Sequence, residues 1–154
     1  MFQANAVVNN FGYIYKNSSD IWPDHICCVV VASKTFAADH PDIVTNFLKA
    51  HIDATNWINE AKASGPGSAN YNLLIDIGGS STGMKGPVIE RALTNVVYKY
   101  DIDSAFMGCF IEFTDKLFDY DLITGTIQDR GYRDIVDFYN SYLNTTYLTQ
   151  AKPK

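Results

Sequence analysis

The residues in this chain that could do chemistry fall into three groups. The first is the stretch NLLIDIGGSSTG at 72–83. Within it, Gly79-Ser80-Ser81-Thr82-Gly83 fits G-x-S-x-G, in which a serine on a sharp strand-to-helix turn acts as a nucleophile. Overlapping it, Asp76-Ile77-Gly78-Gly79-Ser80 has the look of a phosphate loop, where glycines let backbone N–H groups approach an anion. The second group is the histidines, His25, His40 and His51. The third is the cluster Trp22, Pro23, His25, Cys27 and Cys28, an unusual polar-aromatic mixture in a short span.

The surroundings of the first group argue against catalysis. A nucleophile elbow has a helix starting at its serine. Here Ser81 is followed by Thr82-Gly83-Met84-Lys85-Gly86-Pro87, a run that breaks helices. All three histidines also precede Ser81, opposite to the Ser–acid–His order of that fold. A phosphate hairpin needs a second strand soon after the glycines, and a P-loop needs Gly-Lys-Ser/Thr; neither is present. Leu73, Leu74 and Ile77 fit one face of a short helix with Tyr71 packed nearby. Gly78 and Gly79 are then expected to end that helix, with 80–87 a turn into the next. The histidines show no H-x-x-x-H and the cysteines no C-x-x-C, so no metal site is expected. Asp101 and Asp103 read as a helix entrance. Asn17-Ser18-Ser19 and Asn144-Thr145-Thr146 fit the short glycosylation sequon.

These groups must be held by a chain of 154 residues, enough for one domain that buries about 68–70% of its unfolded surface. With 47% hydrophobic and 14% aromatic residues it is not a disordered composition. The net charge is −5 and the basic residues are scattered, so nucleic acid and anionic membranes are poor partners. The longest apolar run, 26–32, is far short of the roughly 20 residues of a spanning helix. The N-terminal MFQANAVVNN has no basic n-region and no long apolar h-region. The three cysteines provide no disulfide framework and read as buried apolar thiols, with Cys109 remote from Cys27 and Cys28 in sequence.

The positioning elements follow from pattern. Aromatic and β-branched residues at 11–16 (FGYIYK) predict a short strand, and 17–20 a turn. The continuous apolar run 26–32 (ICCVVVA) predicts a strand buried on both faces. Ser33 can cap one helical turn ending near Asp39. Pro41 opens a long helix, whose apolar face runs through Ile43, Phe47, Ala50, Ala54, Trp57 and Ala61 before 64–68 (SGPGS) ends it. His51 lies on this helix as a partly buried packing residue, and His40 at its start. Gly86-Pro87 opens a helix buried through Val88, Ile89, Ala92, Leu93, Val96 and Val97. Asp103 caps a third, with Phe106, Phe110, Phe113 and Leu117 in line. A last one runs through Tyr132, Ile135, Val136, Tyr139, Tyr142 and Leu143, and the AKPK tail is expected to fray. Helices outnumber strands, and the two strands lack sheet partners.

The order of these elements resembles the ABC transporter substrate-binding proteins of the nitrate/sulfonate/taurine type. The resemblance rests on IWPDHICCVVVASKTFAADHPDIVTNFLKAHIDATNWINE, then TGMKGPVIERALTNVVYKYDID, then FTDKLFDYDLI. It implies an α/β fold, the helix-rich C-terminal portion of a two-lobed, type II periplasmic-binding-protein architecture with few strands. In that arrangement residues 1–20 would end the second lobe, 21–33 would be the return crossover and strand, 34–150 the helical C-terminal part of the first lobe, and 151–154 a frayed tail. The remaining half would lie upstream of Met1.

The function implied is that of a solute-binding component of an ABC importer, or its C-terminal half. It would bind a small anionic or organic solute between the lobes, perform no chemistry and use no cofactor. Its partners would be the solute and a transporter permease. Its location would be extracellular or periplasmic, membrane-associated in the full-length protein, though no signal is visible in this chain. Faces left bare by the missing half would favour self-association. The ligand-binding residues expected are Trp22, to cover a planar or apolar group; His25, to donate to an anion; and Cys27. The alternative is a small serine hydrolase using Ser81 in GSSTG.

Overall fold

The structure, a computed structural model, describes residues 1–153. Its helices are α1 (Phe2–Val8), α2 (Ser18–Ile21), α3 (Lys34–Asp39), α4 (Pro41–Ser64), α5 (Ala69–Thr82), α6 (Gly86–Leu93), α7 (Ser104–Asp119), α8 (Ile135–Tyr142) and α9 (Thr146–Ala151), with a 3₁₀ turn at Gln128–Arg130. Among the described residues there is no strand. This overturns the α/β expectation. Residues 11–16 and 26–32 have strand-like composition, but a strand exists only where another strand receives its N–H and C=O groups, and the described residues offer none. The run 26–32 is irregular, and Val29, Val30 and Val31 are exposed rather than buried on both faces.

The chain divides into two compact units, Met1–Ile21 with His51–Tyr100, and Trp22–Ala50 with Asp101–Lys154. In the first unit, Ser68 caps α5, its Oγ accepting the Tyr71 N–H at 3.2 Å. The helix passes straight through Gly78 and Gly79 and stops only at Gly83, which is left-handed (φ 70°) and donates to the Gly79 carbonyl at 2.9 Å. The expected stop at Gly78-Gly79 is therefore displaced by one turn. The buried face also differs from the expected one. Leu74 and Ile75 are buried, while Leu73 and Ile77 face solvent. Tyr71, Leu74, Ile75 and Gly78 form the i, i+3, i+4, i+7 line.

Gly78 serves packing. A Cβ there would lie 2.7 Å from Ile89 Cγ2, and a Cβ on Gly86 would lie 3.2 Å from Ile75 Cγ2. Two glycine–isoleucine contacts thus pair α5 with α6. They sit in a core of Ala61, Leu74, Ile75, Ile89 and Leu93, edged by Trp57, Ile58, Tyr71, Met84 and Tyr98. Pro87 lies in the first turn of α6, as its φ and missing N–H favour. The helix ends at Leu93, so Val96 and Val97 lie beyond it and are exposed, not part of the buried side. Along α4 the buried line is Ile52, Thr55 and Ala61; Ile43 and Phe47 are half-exposed. The α4 side chains of Asn59 and Lys62 donate to the Tyr98 and Val96 carbonyls, supplying partners that a neighbouring strand would otherwise supply.

In the second unit, Ser33 caps α3 through the Phe36 N–H at 3.1 Å, as expected. Asp103 caps α7 through the Phe106 N–H at 2.8 Å, also as expected. Tyr139 on α8 is fully buried, its hydroxyl donating to the Phe110 carbonyl at 2.7 Å and its ring 4.7 Å from the Phe110 ring. Burial pushes the Tyr139 phenol above its ordinary range. Asp134 caps α8 through the Asp137 N–H at 2.8 Å. Asp137 in turn accepts the Arg133 N–H at 3.0 Å, and that contact, with the Arg133 guanidinium at 3.4 Å, holds its carboxyl below the usual carboxylate range.

Two outcomes follow. Gly78→Ala drives a methyl into Ile89, and overpacking of this kind costs about 1–3 kcal/mol. Gly108→Ala, on α7 with nothing within 4 Å of the added Cβ, gains about 0.5–1 kcal/mol from helix propensity. Chemical denaturation of the two variants is expected to shift in opposite directions. Separately, the Asp137 carboxyl has a folded pKa below its unfolded value of about 3.9. Its contribution is present above that value and disappears as pH falls through the folded pKa. Amide exchange at the start of α8 is expected to rise in Asp137→Asn at neutral pH, and the parent chain to converge with the variant once its Asp137 carboxyl is protonated.

Candidate functional site

Ser81 lies in the last turn of α5 and is exposed. A nucleophile elbow needs a strand before its serine and a helix after it; here a helix precedes and a left-handed glycine follows. The serine-hydrolase alternative is therefore not supported. His40 sits between α3 and α4, its ring 5.0 Å from Phe36 and its carbonyl accepting the Val44 N–H. Asp103 is a helix cap, and Asp101 pairs with Lys152. Among the described residues no three His, Cys, Asp or Glu side chains are placed to hold a metal, and no helix is long and apolar enough to cross a membrane.

The cluster at 22–28 is brought together, all of it within the second unit. The chain leaves α2, and Asp24 takes a left-handed φ of 56°, which aspartate tolerates better than most residues. That bend returns His25 to Trp22, with Nδ1 3.0 Å from the Trp22 carbonyl. A carbonyl can only accept, so Nδ1 carries the proton and Nε2 is the nitrogen left open. The Trp22 ring stacks with His25 at 6.4 Å and with Phe113 of α7 at 5.8 Å, within the usual range for ring pairs. The half-buried Trp22 is thus fixed by its neighbours.

Beyond this bend, Ile26, Cys27, Cys28 and Val29 face Cys109, Phe110 and Phe113 of α7 across an open apolar cavity of about 170 Å³. Backbone and thiol cooperate here: the Ile26 N–H donates to Cys109 Sγ at 3.3 Å. The Cys27 and Cys28 sulfurs lie 3.5 Å apart, and that thiol–thiol contact raises the Cys28 thiol above its ordinary value. Cys27 and Cys28 are exposed and Cys109 half-buried, so the expectation of buried thiols does not hold. With no strand at 26–32, the two neighbouring side chains are not forced to opposite faces. Cys109, Phe110 and Phe113 as cavity residues were not legible in advance: the Phe106–Phe110–Phe113 spacing marked an apolar stripe, but nothing marked what it faces.

Residues 2–69 match the family model of the NMT1-like family. That is the family of nitrate/sulfonate/taurine ABC substrate-binding proteins, whose members are periplasmic binding proteins and not enzymes. The matched segment contains Trp22, His25 and Cys27; the resembling stretches at 82–103 and 113–123 lie outside it. No curated protein and no solved structure matches the chain.

The sulfur at 109 has a structural duty that can be measured. Cys109→Val keeps an apolar side chain but leaves the Ile26 N–H without its acceptor, an expected loss of about 1 kcal/mol. Cys109→Ser, which restores an acceptor, is expected to lose less in the same denaturation experiment.

Proposed function

We propose that this chain is a solute-binding component of an ABC importer, or the C-terminal part of one. The observation that carries the reading is the NMT1-like match, because the matched residues 2–69 include the Trp22–His25 bend and the approach to the cavity. The solute is a small anionic or organic molecule, and the macromolecular partner is a transporter permease. Binding takes place outside the cytoplasm, at the membrane surface. Phe2, Phe11, Tyr13, Tyr15 and Val31 are exposed apolar side chains that favour self-association.

In this reading Trp22 presents the uncovered part of its ring to a planar group, Cys27 lines the floor, and His25 meets an anion. With Nδ1 committed to the Trp22 carbonyl, Nε2 donates only in the imidazolium form. A thermal-shift titration with taurine, nitrate, bicarbonate and pyrimidines tests the proposal, since a bound solute at 100 times its Kd stabilises by about 2.7 kcal/mol. Expected is a raised Tm with at least one of them, lost in Trp22→Ala. For an anionic solute the shift is also expected to shrink in His25→Ala. A flat response to every solute overturns the reading.

A further inference from the structure

All three cysteines of the chain line one cavity, and they are not equivalent. Cys109 is half-buried and its sulfur accepts the Ile26 N–H. Cys27 and Cys28 are exposed, point the same way, and hold their sulfurs 3.5 Å apart. That spacing is far from the 2.03–2.05 Å of a disulfide. Adjacent residues also have Cα atoms only about 3.8 Å apart, below the usual disulfide span of about 4.4–6.8 Å. A direct S–S bond is thus disfavoured here, whereas one larger atom bonded to both sulfurs bridges the gap without moving the backbone far. The segment carrying them is neither helix nor strand, so small adjustments break no ladder. Beside the sulfurs, Val29, Phe110 and Phe113 form apolar walls. The cavity volume of about 170 Å³ is that of a one-ring site; an engineered apolar cavity of about 150 Å³ takes up benzene.

We propose that Cys27 and Cys28 form a two-thiol binding site for trivalent organoarsenicals and related thiophilic metalloid compounds, with the cavity seating an aryl substituent. The reaction is a condensation without change of oxidation state. An aryl arsine oxide forms two As–S bonds, both S–H bonds break, and the two protons leave with the arsenic-bound oxygen as one water. Cys109 takes no part in bonding. The site does not depend on the solute-binding reading, because it requires only the thiol pair and the apolar wall.

The probe is phenylarsine oxide, added to the reduced chain in the presence of excess 2-mercaptoethanol and read by intact mass. Expected is a single adduct equal to the added arsenical minus one water, resistant to the monothiol and removed by 2,3-dimercaptopropanol. Peptide mapping of the unmutated chain is expected to place the arsenic on the peptide containing Cys27 and Cys28. Cys27→Ser and Cys28→Ser each lose the adduct, Cys109→Ser keeps it, and circular dichroism checks that the helices persist. Methylarsine oxide, which has no ring to seat, is expected to bind at least about tenfold more weakly, roughly the value of burying a small apolar group. An adduct mapped to Cys109, an adduct retained by either single variant, or equal affinity for the methyl and phenyl compounds overturns the proposal. Because the mapping uses the parent chain, a variant that fails to fold leaves it decisive.

Discussion

An extended segment carries a row of N–H and C=O groups that only another strand or an equivalent set of donors and acceptors can satisfy. Everything else in this chain is arranged around that demand. Residues 11–16 and 26–32 have the side chains of strands, yet neither has a strand beside it. Helices therefore make the framework, and the irregular segments find partners one group at a time. Asn59 and Lys62 reach the carbonyls of Tyr98 and Val96, and Cys109 receives the Ile26 N–H. The exposed valines at 29–31 are the consequence: a side chain suited to a two-faced sheet has no sheet to enter.

Within the first unit the same chain achieves close packing by removing side chains rather than adding them. Gly78 accommodates Ile89 and Gly86 accommodates Ile75, so two helices approach where any Cβ would collide or crowd. The stretch that carries the most suggestive catalytic pattern is thereby a packing surface. Its glycines answer to a neighbouring isoleucine, its serines face water, and the left-handed Gly83 closes the helix.

The candidate site has a different origin. A single left-handed aspartate at position 24 folds His25 back onto Trp22, and the aromatic stripe of α7 supplies the opposite wall. Fixing Nδ1 of His25 on a backbone carbonyl decides which nitrogen is left for chemistry. Holding both adjacent thiols on the same side is possible only because the backbone there is irregular. The loss of the expected strand is thus what gives residues 26–29 their chemical character.

The sequence by itself determined the helix punctuation: Ser33, Pro41, Gly86-Pro87 and Asp103 act through groups within four residues, so their effect is local and readable. It also placed Trp22, His25 and Cys27 in a family-like segment and made a helix of 72–77. Only tertiary structure decided which helix face is buried, because Leu73 and Leu74 are equally apolar and the choice rests on where Ile89 meets Gly78. Tertiary structure alone likewise determined that 11–16 and 26–32 form no sheet and that Cys109 joins Cys27 and Cys28 across a cavity. Those outcomes depend on partners distant in sequence, and neither periodicity nor propensity carries information about a partner that is absent or far away.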